Sequence, residues 1–194
     1  MTVALLYGAG SGALHAVTGP DHVLCLSPAA LEQPKASWRI GLAWGAGHAI
    51  GTLLLAVPLL VLAHVVHVPS LAAWGEQLAG AALLATGLMT LRSLRAGAHD
   101  PAPRSLRSPL AVGLVHGVTG AGSLVLVLPV IVSGSLERAL LFLAAFALGS
   151  TLAMAGLTSA IAKLGQRLEP RTIAHAQRAL AIGAIALGAW WLMP

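Results

Sequence analysis

The chain has 194 residues, of which 57% are hydrophobic and 9% charged, with a formal net charge of +5. A typical globular chain carries about 25% charged residues, so a water-facing surface of ordinary polarity is excluded, and lipid is the expected solvent for most of the chain. A single cysteine, Cys25, excludes an internal disulfide framework and a Cys-rich metal cluster, and two Phe with one Tyr leave no platform for stacking nucleic acid.

A bilayer core ~30 Å thick takes about 20 residues of helix. On that measure the sequence divides into apolar segments at residues 3–28, 40–66, 71–91, 109–133, 139–162 and 174–193. This predicts an all-α integral membrane protein of six transmembrane helices, folded as a single domain. No Lys or Arg precedes Lys35, so the first segment reads as a spanning helix rather than a removable signal peptide. It contains His15, Thr18, Gly19, Pro20, Asp21 and His22. Proline removes a backbone donor and clashes one turn back, so the helix is expected to break at Gly19-Pro20. With Gly19 as the cap, Pro20 and Asp21 take the first two positions of a new half-helix, where both are favoured. A straight helix would hold His15 and His22 ~10 Å apart along its axis. The break would bring His15 towards Asp21 and His22.

Asp21 is the one acidic residue well inside a span; Glu32, Glu76, Asp100, Glu137 and Glu169 fall in loops or at segment ends. An isolated intramembrane carboxylate costs at least ~2.5–3.5 kcal/mol and is functional by default. The second segment adds WGAGHAIG at residues 44–51, where Gly47 and Gly51 make a smooth packing face that carries in His48 as a further ligand. Cys25, one turn after Asp21 and His22, and Thr18 are secondary candidates. His64 and His67, three apart at the segment's outer edge, are expected to capture metal there. GAGSG at residues 8–12 follows no strand and lacks a P-loop lysine, so it is not a nucleotide site.

The polar stretch at residues 92–108 separates two halves, 1–91 and 109–194. Sliding the sequence by 101 residues aligns GALHAVTGPDHVLCLSP, from 12, with GLVHGVTGAGSLVLVLP, from 113. The shared H-x-V-T-G makes His116 the counterpart of His15, whereas Asp21 and His22 become Gly122 and Ser123. Three helices per half imply an inverted repeat, a plan common in secondary transporters. Lys35, Arg39, Arg92, Arg95, Arg104, Arg107, Lys163, Arg167, Arg171 and Arg178 fall on one side and Arg138 on the other. By the positive-inside rule, both termini lie outside.

His15, Asp21, His22, His48 and His116 together suit a divalent cation. Neutral imidazole ligates nickel, cobalt, zinc or copper, and the donor set argues against copper(I), calcium and magnesium. HAVTGPDH at 15–22 followed by WGAGHAIG at 44–51 resembles the nickel/cobalt transporter group, in particular its UreH-like branch. The resemblance implies Ni2+ or Co2+ as transported substrate. The larger permeases of that group usually have eight helices and four residues between His and Asp-His; here six segments and five residues stand in their place. Efflux members often carry a His-rich loop, and residues 92–108 contain only His99, which points to uptake. These readings make the chain a secondary transporter of a divalent transition metal, multi-pass in the cytoplasmic (inner) membrane, and not an enzyme. A metallochaperone or a second copy of the chain is the expected protein partner, and nucleic acid is not. The alternatives are an intramembrane His/Asp zinc hydrolase, a channel or permease for a small solute, and an accessory subunit.

Overall fold

The computed structural model describes residues 2–62, 68–95, 106–119 and 135–193. Among them the chain is all helical: α1 (Thr2–Thr18), α2 (Pro20–Glu32), a 3-10 turn (Pro34–Ala36), α3 (Ser37–Leu62), α4 (Val68–Arg95), α5 (Arg107–Thr119), α6 (Leu136–Gly165) and α7 (Pro170–Leu192). His64, His67, His99 and the second-half segment around Gly122 and Ser123 lie outside the described residues.

The first apolar segment divides where its chemistry requires. Gly19 adopts an extended backbone, φ −67° and ψ 110°, the region into which a following proline steers its neighbour. The Gly19 N–H closes α1 on the His15 carbonyl, and Pro20 opens α2 with Asp21 in its first turn. Serine and proline mark later starts: Ser135 caps α6 by accepting from the Arg138 N–H, and Pro170 begins α7.

Helix α1 packs on α6, α5 on α3, and α4 on α7, with α3 and α6 also in contact and α2 wedged against α6 and α7. The crossings are built on small residues. Gly8 and Gly12 of α1 meet the backbone of Phe142 and Phe146, and Gly149 of α6 meets Ala9. Gly47 and Gly51 of α3 meet Leu110 and Leu114, while Gly113 and Gly117 of α5 meet Trp44 and His48. On the third pair, Gly87 meets Ala181, and Gly188 meets Gly80. A Cβ at any of these glycines would run into opposing backbone, so the close approach of the helices depends on its absence.

Large apolar side chains stand on the surface, and several polar ones lie in the interior beside the apolar core. Tyr7, Leu6, Met89, Leu148, Leu152 and Trp190 are each more than 60% exposed, whereas His22, His48, His116, Ser150 and Thr158 are fully buried. Two described helical stretches, Pro34–Pro58 and Leu136–Gly165, are long and apolar enough to cross a membrane. That differs from the six spans expected. The break shortens α1 to 17 residues. Arg92 and Arg95 end α4, and His175, Gln177 and Arg178 occupy the first half of α7, which lowers the hydropathy of both. The described part of the fourth segment is the 13-residue α5.

Candidate metal centre

Four elements converge on one cluster, with His22, His48 and His116 buried and His15 and Asp21 half-buried. The end of α1 supplies His15, the first turn of α2 supplies Asp21 and His22, α3 supplies His48, and α5 supplies His116. The donors fall into two groups that share His22: His15, His22 and His48, and Asp21, His22 and His116, with the ligand atoms of each within 4.8 Å of one another. Ring centroids lie 4.7 Å apart for His15 and His22, and 5.3 Å apart for His22 with either His48 or His116.

The break at Gly19 makes this possible. The Asp21 and His22 side chains fold back over Gly19, where a Cβ would stand 2.6 Å from His22 Nδ1 and 2.8 Å from Asp21 Oδ1. A side chain at this position would push the Asp21 and His22 side chains out of their present places. Asp21 is the electrostatic hinge of the site. One of its oxygens, Oδ2, contacts His116 Nε2 and lies 3.6 Å from His22 Nε2. On the far side of its ring, His22 Nδ1 lies 3.3 Å from the Ala16 carbonyl oxygen. A carbonyl only accepts, so in the neutral ring the proton sits on Nδ1 and the Nε2 lone pair faces the carboxylate. Two acceptors then confront each other across 3.6 Å. A proton on Nε2 or a metal cation between the two atoms resolves that conflict.

His48 poses a second demand. It is fully buried, and neither of its ring nitrogens has a hydrogen-bond partner among the described residues. A buried, unsatisfied polar atom costs roughly 1–3 kcal/mol. Metal coordination at one of these nitrogens would supply the missing interaction. Metal–nitrogen bonds near ~2.0–2.1 Å require donor atoms no more than about 4.2 Å apart around one ion, so a small contraction of either group suffices.

Of the residues expected from sequence, His15, Asp21, His22, His48 and His116 are brought together. Thr18 is not: it is exposed, and its hydroxyl donates to the Leu14 carbonyl at 2.8 Å. Cys25 is buried one turn along α2, outside both donor groups. Two neighbours escaped the sequence reading. Trp44 stacks on His48 at 5.4 Å and 7° and lies 5.3 Å from His22 and 5.2 Å from His116. Phe146 lies 5.6 Å from His15. The available signal was spacing: Trp44 precedes His48 by one helical turn, and Phe146 follows Trp44 by nearly the repeat offset.

No protein-family model and no solved structure matches the chain. Two curated relatives do, both from Arabidopsis thaliana. Chloroplast protein FOR GROWTH AND FERTILITY 2 is 29% identical over 199 residues, covering 92% of this chain and 53% of the relative. Chloroplast protein FOR GROWTH AND FERTILITY 1 is 27% identical over 183 residues, covering 83% and 50%. The chain spans about half the length of the curated relatives it matches. These findings correct the sequence reading. The similarity is to chloroplast growth and fertility proteins, so the assignment to the nickel/cobalt transporter group is withdrawn. With it go nickel or cobalt transport and the placement in a cytoplasmic membrane with both termini outside. The reason is the narrow basis of that resemblance. About sixteen residues carried it, and a His/Asp cluster specifies a coordination chemistry, not a cargo or a compartment.

Proposed function

We propose that the chain is an integral membrane protein that holds a divalent first-row transition metal ion in a buried centre made by His15, Asp21, His22, His48 and His116. The observation that carries this reading is His48, buried with both ring nitrogens unpartnered among the described residues. The acceptor-to-acceptor approach of His22 Nε2 and Asp21 supports it. The donor chemistry suits a borderline cation such as zinc, since imidazole dominates and one carboxylate offsets part of the charge.

The membrane setting rests on the large apolar side chains exposed on the surface and on the glycine-built crossings. The same crossings support two related three-helix halves. Gly12 against Phe146 has its counterpart in Gly113 against Trp44, and Gly149 against Ala9 in Gly47 against Leu110. Gly87 against Ala181 and Ile185 corresponds to Gly188 against Gly80 and Leu84. Every pair transfers at an offset of 101 or 102 residues, so the first helix of each half packs on the second helix of the other. The five donor residues gather where α5 packs on α3 and His116 meets Asp21 of α2.

Titration of purified, detergent-solubilised protein with Zn2+ by calorimetry tests the reading. Saturable binding that His48→Ala and His22→Ala both weaken, with the helical spectrum unchanged, supports it. Absence of saturable binding to the folded wild-type chain would refute it.

A further inference from the structure

A cavity of about 390 Å³ lies between α2, α3, α4 and α5. Its walls are stripes one turn apart: Cys25 and Ala29 on α2, Ile40 and Trp44 on α3, Ser108 and Val112 on α5, with Thr86 and Thr90 on α4. Three of these stripes run on into the metal centre. Cys25 is one turn from Asp21 and His22, Trp44 is one turn before His48, and Val112 is one turn before His116. The cavity and the donor cluster are therefore consecutive along the same helices, about 6 Å apart axially. Its other end lies beside residues that flank the turn at 33–36 and the start of α5.

Trp44 is the partition between them. Its indole is buried, lines the cavity, and lies against three of the four histidines. The indole N–H has no hydrogen-bond partner among the described residues, so no such bond fixes the ring in place. The hydroxyls of Ser93 and Ser108 and the Cys25 thiol make the walls partly polar, beside Thr86 and a Thr90 hydroxyl that donates to the Thr86 carbonyl at 3.0 Å.

We infer that this cavity is the antechamber through which a hydrated divalent cation reaches the histidine centre, and that Trp44 is its gate. The inference rests on the proposed metal centre. Rotation of the indole away from His48 joins the two spaces; its return closes the centre from the chamber. A gate controls rates and leaves the bound state largely unaltered.

The test uses Zn2+ and a fluorescent chelator in stopped flow, with a charged methanethiosulfonate reagent directed at Ser108→Cys, an exposed position of the cavity wall, in a Cys25→Ser background. Trp44→Phe keeps a ring against His48 and thins the partition, so Zn2+ uptake and release should both speed up by about fivefold or more while their ratio stays within about threefold. Trp44→Ala, which also removes the stack on His48, should speed exchange further. The adduct at Ser108→Cys should slow exchange. Rates unchanged in both Trp44 variants, or an affinity loss in Trp44→Phe that matches its rate change, would overturn the gate. An adduct without effect on exchange would overturn the antechamber. Should the wild-type chain take up no Zn2+, the metal reading itself fails.

Discussion

Replacing Gly117 by alanine places a methyl group against the α3 backbone. A Cβ at this position would stand 2.8 Å from the His48 carbonyl carbon and 2.9 Å from its Cα, with the carbonyl oxygen nearer still. Backbone atoms cannot rotate aside, so α5 and α3 must separate by roughly 1–1.5 Å to restore ordinary contact, at a cost of about 1–3 kcal/mol. That corresponds to a fall of about 5- to 150-fold in the folding equilibrium. The same displacement carries His116 away from His48, whose ring centroids already lie 6.0 Å apart. Binding constellations tolerate errors of about 0.5 Å, so Zn2+ affinity should drop by about tenfold or more. Gly10→Ala and Gly156→Ala are the controls, since nothing lies within 4 Å of a Cβ at either position. Detergent thermal denaturation and Zn2+ titration measure the two effects. A Gly117→Ala protein as stable and as tightly binding as Gly10→Ala would refute the packing argument and its link to the site.

Asp21→Asn keeps the shape of the side chain and its reach to His116 but removes the charge facing His22; Zn2+ affinity should fall by about 10- to 100-fold in calorimetry. Thr18→Ala should leave affinity unchanged in the same titration, because the Thr18 hydroxyl is committed to the Leu14 carbonyl outside the cluster. Acid should weaken binding. Imidazole must be neutral to ligate, so protons compete with the metal, and affinity should decline as pH falls from about 7.5 to about 5.5. A pH-independent affinity over that range would exclude histidine as the dominant ligand.

The residues legible in the sequence were those whose chemistry conflicts with an apolar setting. Asp21 and the histidines stood out because each is costly in lipid, and Gly19-Pro20 because its backbone constraints are local. Packing partners were harder to read. Nothing in the pattern around Trp44 distinguishes a buried wall from an interfacial anchor, and the placement of His116 on Asp21 depends on a crossing between halves. Hydropathy counted six spans from apolar segments, yet a helix ended by its own break or by polar turns loses length and hydropathy, as α1 and α7 do. Thr18, beside the break, donates its hydroxyl to the Leu14 carbonyl one turn back, a local bond open to any helical threonine. The metal preference and compartment were never encoded in the cluster.

X-ray absorption at the zinc edge, on purified protein loaded with one equivalent of Zn2+, addresses the centre most directly. Neighbouring nitrogen or oxygen atoms at ~2.0–2.1 Å, with the multiple scattering of at least three imidazoles, are the predicted result, and His48→Ala should reduce that scattering. A shell of water-like oxygens with no imidazole signature in the wild-type protein would contradict the centre built by His15, Asp21, His22, His48 and His116.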